Sequence, residues 1–242
     1  MCGIFGFYAS SPLASSRLDA LVRVANSQVA RGHHAFGLAW SNEDHQTFSF
    51  KRPGAIVEHP DDVARGEGAV GLIGHTRWAT HGSADDNGNN HPHAFRFGKS
   101  DGYLVHNGVI GNYESIARRR GLDLRSECDS EVLARHIEAG KAGLLPRVAA
   151  AIADVDDYAP CAVAVLTRAG LVLARRGNPL FWSDDRDVVW FASTPSGLPG
   201  RVREVPDESA FGIPLDGGEI REVTLRSRRA TTMRFVGSDL FA

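Results

Sequence analysis

A cysteine stands at the second position of the chain, within Met1-Cys2-Gly3-Ile4-Phe5-Gly6-Phe7. If the initiator methionine is removed, one residue carries both a thiol and a free α-amine. The thiolate is the reactive form of cysteine, and a nearby base makes it available. An α-amine has a reference pKa of about 7.7–8.0, so it can serve as that base near neutrality. Cys2 could thus combine nucleophile and proton acceptor without a histidine. A small second residue generally permits removal of the initiator. Taken alone, Cys2 reads more simply as a half-buried strand residue near a frayed end, and the residues downstream decide between the two.

Arg77 follows an apolar run and falls in a loop, where a guanidinium can grip a carboxylate with two parallel hydrogen bonds. Its simpler reading is a surface arginine paired with an aspartate. Asn107-Gly108 is first a turn signal for a tight hairpin. An Asn side-chain N–H and a Gly backbone N–H can also converge on a developing oxyanion, and Val109-Ile110 does not open a matching alternating strand. Asp129 reads as an acid at a helix N-terminus, or as a partner for an ammonium group. His75, His81, His91, His93 and His106 invite a metal, but their spacings match no zinc signature. They are read as loop and hydrogen-bonding histidines, with no metal and no cofactor expected. Cys128 and Cys161 look structural.

These residues need elements to hold them. Residues 2–8 read as a buried strand ended by Ser10-Ser11-Pro12. From 15 to 31, Leu18, Leu21, Val22, Ala25 and Val29 share a helical face. Strands are expected at 38–40, 47–52, 69–75 and 103–106. The polar stretch from Thr76 to His93 is too long for a plain connector and reads as a functional loop. Val109–Arg120 turns into a helix, and Ser126-Glu127-Cys128-Asp129 begins another whose apolar face is Val132, Leu133, His136 and Ile137. A further helix spans 143–153 with Pro146 in its first turn. Strands return at 161–166, 171–174, 188–192, 219–225 and 232–235. Strands at both ends with helices between them predict an α+β layer architecture in one domain over 2–242, with 226–242 a peripheral tail.

Composition narrows the function. The 242 residues are 43% hydrophobic and 23% charged, ordinary for a water-soluble chain that buries a full core. Lys+Arg 27 against Asp+Glu 29 gives a net charge of −2, which favours neither nucleic acid nor an anionic membrane. Three cysteines, odd in number and far apart, argue against a disulfide framework and for a reducing compartment. With no signal peptide and no spanning segment in sight, a cytoplasmic protein is expected.

Taken together, the motifs resemble the glutaminase domain of the class II glutamine amidotransferases, which are N-terminal-nucleophile hydrolases. Within that family they are most similar to the glutaminase half of glucosamine-6-phosphate synthase (glutamine–fructose-6-phosphate aminotransferase). The likeness rests on Cys2-Gly3-Ile4-Phe5-Gly6, Arg31-Gly32, His75 through Gly82, His91-Pro92-His93, Val105 through Ile110 and Ser126 through Glu131, in family order over about residues 2–225. It implies a four-layer αββα sandwich of two antiparallel sheets. It also implies roles: Cys2 as nucleophile with its own amine as base, and Asn107 with the Gly108 N–H as oxyanion hole. Arg77 would bind the glutamine α-carboxylate and Asp129 the α-amine. Thr80 and His81 would complete the pocket beside Arg31, and Trp78 would cover it and influence the exit of ammonia.

Two departures stand out. After Arg31-Gly32 the family usually carries an acid and a small residue, whereas this chain reads His33-His34-Ala35-Phe36-Gly37. The synthase also has two sugar-isomerase domains, and this sequence stops at Ala242. Ammonia is therefore expected to pass to an acceptor enzyme on another polypeptide, which the basic tail from Arg226 could dock, although an ordinary last strand explains that tail more simply. Two alternatives stay open: a non-catalytic module that binds glutamine and regulates a partner, with Met1 retained, and an N-terminal-cysteine hydrolase of another amide.

Overall fold

The computed structural model describes residues 1–214 and 220–225, and the backbone of 233–235. Its strands are β1 (Gly3–Ala9), β2 (Ala35–Ser41), β3 (Thr47–Pro53), β4 (Gly71–Arg77), β5 (His93–Phe97), β6 (Ser100–Gly108) and β7 (Cys161–Thr167). They continue with β8 (Gly170–Arg176), β9 (Phe181–Asp185), β10 (Val188–Ala192), β11 (Arg201–Glu204), β12 (Ser209–Ile213), β13 (Arg221–Thr224) and β14 (Met233–Phe235). The helices are α1 (Leu18–Asn26), α2 (Pro60–Val63), α3 (Tyr113–Arg120), α4 (Glu131–Ala139) and α5 (Leu144–Asp154). Two antiparallel sheets result, ordered β11-β9-β10-β1-β4-β2-β3 and β14-β13-β12-β8-β7-β6-β5.

Strand side chains alternate between faces, so a strand buried on both sides must be apolar throughout. In β1, Ile4 faces the second sheet while Phe5 and Phe7 face α1. In β7, Ala162, Ala164 and Leu166 face the first sheet, and Cys161, Val163 and Val165 face α4 and α5. The order of layers is therefore α1, sheet, sheet, then α3 to α5, the expected four-layer αββα sandwich. The apolar stripes of α1, with Leu21 and Val24, and of α5, with Val148 and Ile152, cover the two outer faces. Cys161 is a buried hydrophobe there.

Local chemistry accounts for differences from the sequence reading. The expected helix over 15–31 is α1 flanked by two short 3-10 turns, Ser15–Arg17 and Val29–Arg31. Helix α4 starts at Glu131, after the Ser126–Asp129 segment, because the Glu131 carboxylate turns back to accept from the Arg125 and Ser126 N–H groups and the Ser126 hydroxyl. Asn107-Gly108 is not a hairpin turn. Asn107 pairs with Ala162 and Gly108 with Cys161 at the end of β6. Strands β5, β9, β11 and β12 were not expected; each is short, and alternation over four or five residues is a weak signal. The tail from 226 to 242 lies outside the described residues, apart from the Met233–Phe235 backbone paired with β13. Among the described residues no helix is long and apolar enough to cross a membrane.

Candidate active site

Strands β1 and β4 of one sheet and β6 of the other end at the same edge of the sandwich. Antiparallel pairing of Gly3 with Thr76 sets the start of β1 beside the end of β4. A bond between the sheets fixes β6 against them: His75 Nε2 lies 3.0 Å from the His106 carbonyl. One residue beyond His106 is Asn107, and two beyond His75 is Arg77. His106 Nδ1 meets Ser130 Oγ at 2.8 Å, which ties in the segment carrying Asp129. Four sequence-distant segments are thereby gathered at one edge.

A cavity of about 370 Å³ opens there, lined by Met1, Cys2, Trp78, Thr80, Asn107, Gly108, Val109, Pro160 and Asn178. Five of these, Cys2, Trp78, Thr80, Asn107 and Gly108, are residues singled out in the sequence. Cys2 is half-buried, and its sulfur lies between the two peptide groups of Trp78, 3.4 Å from the N–H and 3.6 Å from the carbonyl oxygen. Burial pushes the thiol above its ordinary pKa, and Asp129 adds to this. The Trp78 N–H, the chain's amino terminus and Arg77 act in the opposite sense.

Arg31 organises the cysteine from behind. Its Nε donates to the Cys2 carbonyl at 2.8 Å. With the Asn107 amide oriented to satisfy its neighbours, Nδ2 donates to the same carbonyl at 3.1 Å and the amide oxygen accepts from Arg31 Nη2 at 3.1 Å. An amide nitrogen carries two hydrogens, so Asn107 keeps one for an oxyanion. Gly108 must lack a side chain, because a Cβ there would stand 2.5 Å from the Pro160 carbonyl. Gly32 is equally constrained, with a Cβ 2.4 Å from the Arg77 carbonyl carbon and 2.7 Å from the Trp78 nitrogen. These contacts give Arg31-Gly32 and Asn107-Gly108 a steric reason.

Arg77, Asp129, His81 and Arg31 do not line the cavity. Arg77 ends β4 and is buried, not a surface arginine. Its guanidinium donates to the His81, Gly82 and Ser83 carbonyls and to Asn90 Oδ1, the last at 2.8 Å. The polar stretch after β4 is thus folded around this arginine, and Asn89 joins it to the Glu127 backbone N–H at 2.8 Å. Asp129 is also buried, and its Oδ2 accepts from the Ile110 N–H at 2.6 Å. The His81 ring packs against Tyr113, 6.1 Å between centroids.

The sequence reading missed Asn178 and Pro160. Asn178 Nδ2 donates to the Asn107 carbonyl at 2.7 Å and the Pro160 carbonyl at 3.1 Å, anchoring the end of β6. Only its place after Gly177 marked it, and a lone Asn beside a Gly reads as a turn. The structure also gathers His91, His93 and Cys128, whose ligand atoms lie within 4.8 Å of one another. The Lys51 ammonium donates to the Asn90 and Pro92 carbonyls beside them, at 2.8 and 3.4 Å. That fixed positive charge would oppose a second cation.

No protein-family model matches the chain. It is 33% identical over 233 residues to a glutamine–fructose-6-phosphate aminotransferase (isomerizing) of Haemophilus ducreyi, across 93% of this chain and 35% of that protein. It is 30% identical to the protein of the same name from Aliivibrio fischeri, across 97% of this chain and 37% of that one. Among solved structures, the glutamine phosphoribosylpyrophosphate amidotransferase of B. subtilis, complexed with ADP and GMP, superposes with a TM-score of 0.75 at 21% identity. That match covers 93% of this chain and 49% of the other, and the likeness is one of fold. The chain spans little more than a third of the length of the curated relatives it matches.

Proposed function

We propose, from the premise that this chain belongs to the class II glutamine amidotransferases, that it hydrolyses the side-chain amide of L-glutamine through a thioester on Cys2. The observation that carries this reading is the convergence of the Cys2 sulfur, the Trp78 N–H, the Asn107 amide and Gly108 at one cavity. In the proposed reaction the thiolate attacks the Cδ carbonyl. The second Asn107 hydrogen and the Gly108 N–H receive the oxyanion, and ammonia leaves with a proton relayed by the Cys2 α-amine. Water then hydrolyses the γ-glutamyl thioester to glutamate.

Met1 lines the cavity and is exposed. Its removal frees the α-amine and opens space beside the sulfur. Arg77 and Asp129 do not line the cavity but act on the Cys2 thiol electrostatically in opposite senses, a pair suited to the two ends of an amino acid. Binding the α-carboxylate at Arg77 would exchange part of its carbonyl shell, so the loop from 81 to 90 would adjust when substrate enters. Delivery of ammonia to an acceptor enzyme, as the names of the relatives suggest, belongs to this proposal, and so does a cytoplasmic location, which the three free cysteines support.

The test is glutamate release by protein whose intact mass shows that Met1 is gone. Turnover by the wild type and its loss in Cys2→Ala support the reading. Turnover that persists in Cys2→Ala refutes the nucleophile. A chain that keeps Met1 and binds glutamine without releasing glutamate would be a regulatory module instead.

A further inference from the structure

The segment after Gly32 carries His33-His34 where the resemblance leads one to expect an acid and a small residue. The His34 backbone N–H donates to the Arg77 carbonyl at 3.1 Å, and the Ala79 N–H donates to His34 Nδ1 at 3.1 Å. These are the two peptide units that flank Trp78. A peptide is planar and trans, so its C=O and N–H point in opposite directions. Fixing the Arg77 carbonyl toward His34 turns the Trp78 N–H the other way, where the Cys2 sulfur lies at 3.4 Å. Fixing the Ala79 N–H toward His34 likewise turns the Trp78 carbonyl to the sulfur, at 3.6 Å.

We infer that His34 is a positioning residue, whose backbone N–H and Nδ1 bracket Trp78 and hold the Trp78 N–H on the Cys2 sulfur. The β2–β4 ladder ends at the pair of Ala35 with Arg77, and just beyond it the imidazole nitrogen takes the place of a strand carbonyl. Accepting from Ala79 uses the lone pair of Nδ1, so Nδ1 is the acceptor nitrogen of the ring. The backbone of His34 is itself anchored, since its carbonyl accepts from the Gly54 N–H at 3.0 Å. The Trp78 indole lies against the His34 ring at 4.9 Å and 38°, and meets His33 edge-on at 5.3 Å and 88°. The Trp78 N–H, at 3.4 Å, favours the thiolate, whereas the Trp78 carbonyl, farther off at 3.6 Å, accepts from the thiol, and the nearer N–H prevails.

This inference rests on the glutaminase reading for the role of Cys2, but its test does not depend on turnover. The experiment compares His34→Asn with His34→Leu in the full chain, measuring the iodoacetamide alkylation rate of Cys2 against pH by peptide mass spectrometry, and glutamate release alongside. Both variants lose the ring, and they are close in shape. Asn keeps an acceptor on Cγ near the place of Nδ1, and Leu has none. The expected result is Cys2 alkylation in His34→Asn within about three-fold of wild type, with a loss of about ten-fold at neutral pH in His34→Leu. Glutamate release should follow the same order, through kcat more than KM. Equal rates in the two variants, whether both normal or both impaired, overturn the bracket. If wild type releases no glutamate while the alkylation rates separate as stated, the glutaminase reading fails and the positioning role of His34 stands.

Discussion

Four histidines lie beneath the candidate site, and lowering the pH perturbs all of them. His75, His91, His93 and His106 are 0%, 3%, 4% and 1% exposed. Burial disfavours the imidazolium, and it holds His75 at about 3 and His106 at about 4, against an ordinary value of 6.5. Burial also holds His91 and His93 well below that value. The rings crowd one another, with His75 and His91 stacked at 4.0 Å between centroids and His91 edge-on to His93 at 4.5 Å, so one proton would repel the next. In the unfolded chain the same residues titrate near 6.5. Between that value and the folded ones the unfolded state binds more protons, so stability rises with pH and falls on acidification. The histidine contribution is complete above about pH 6.5 and is lost as the pH drops toward 4 for His106 and 3 for His75. Each pH unit in that window removes about 1.4 kcal/mol per neutral histidine. At pH 5 the loss is about 2 kcal/mol from His75 and about 2 kcal/mol from His106, with His91 and His93 acting in the same sense. A domain typically has about 5–15 kcal/mol to lose. Urea unfolding at constant ionic strength between pH 8 and pH 5 should show the midpoint falling steeply below 6.5 with an unchanged slope m. Aspartate protonation sets in only near pH 4, below this range. A midpoint that is flat or rises from pH 6.5 to 5 would refute the claim that these rings are buried neutral.

Three substitutions probe the site itself. Asn107→Ala removes the proposed oxyanion donor and should lower kcat for glutamate release by about 10²–10³-fold with KM little changed, read by steady-state kinetics. Asn178→Ala leaves the Asn107 and Pro160 carbonyls without their donor, so stability should drop by about 1–3 kcal/mol in urea melts, with a smaller activity loss than Asn107→Ala. Gly32→Ala drives a methyl into the Arg77–Trp78 backbone and should destabilise by about 3 kcal/mol or more; an unchanged urea midpoint would contradict the packing described.

The sequence by itself determined the strands that carry the candidate site. Continuous apolar runs such as Cys161–Leu166 can only be strands or helices buried on every side, and their length and β-branched content select strands. It also made Cys2 a candidate nucleophile, since a thiol and, once Met1 is removed, an amine would share one residue, although only the motifs downstream favour that reading over a plain strand residue. Motif likeness supplied the architecture and the candidate roles, and five of those residues meet at one cavity. Tertiary structure alone decided the remainder, because hydrogen bonds between distant segments leave no periodicity in the chain. The inter-sheet bond from His75 to His106, the Asn178 anchor on Asn107 and the bond from Ala79 to His34 join residues 31, 71 and 45 positions apart. Arg77 shows the division most clearly. Its type was legible, but the loop position expected for it is the last residue of β4, and whether its guanidinium faced open space or the carbonyls of residues 81–83 depended on how the polar loop closed around it.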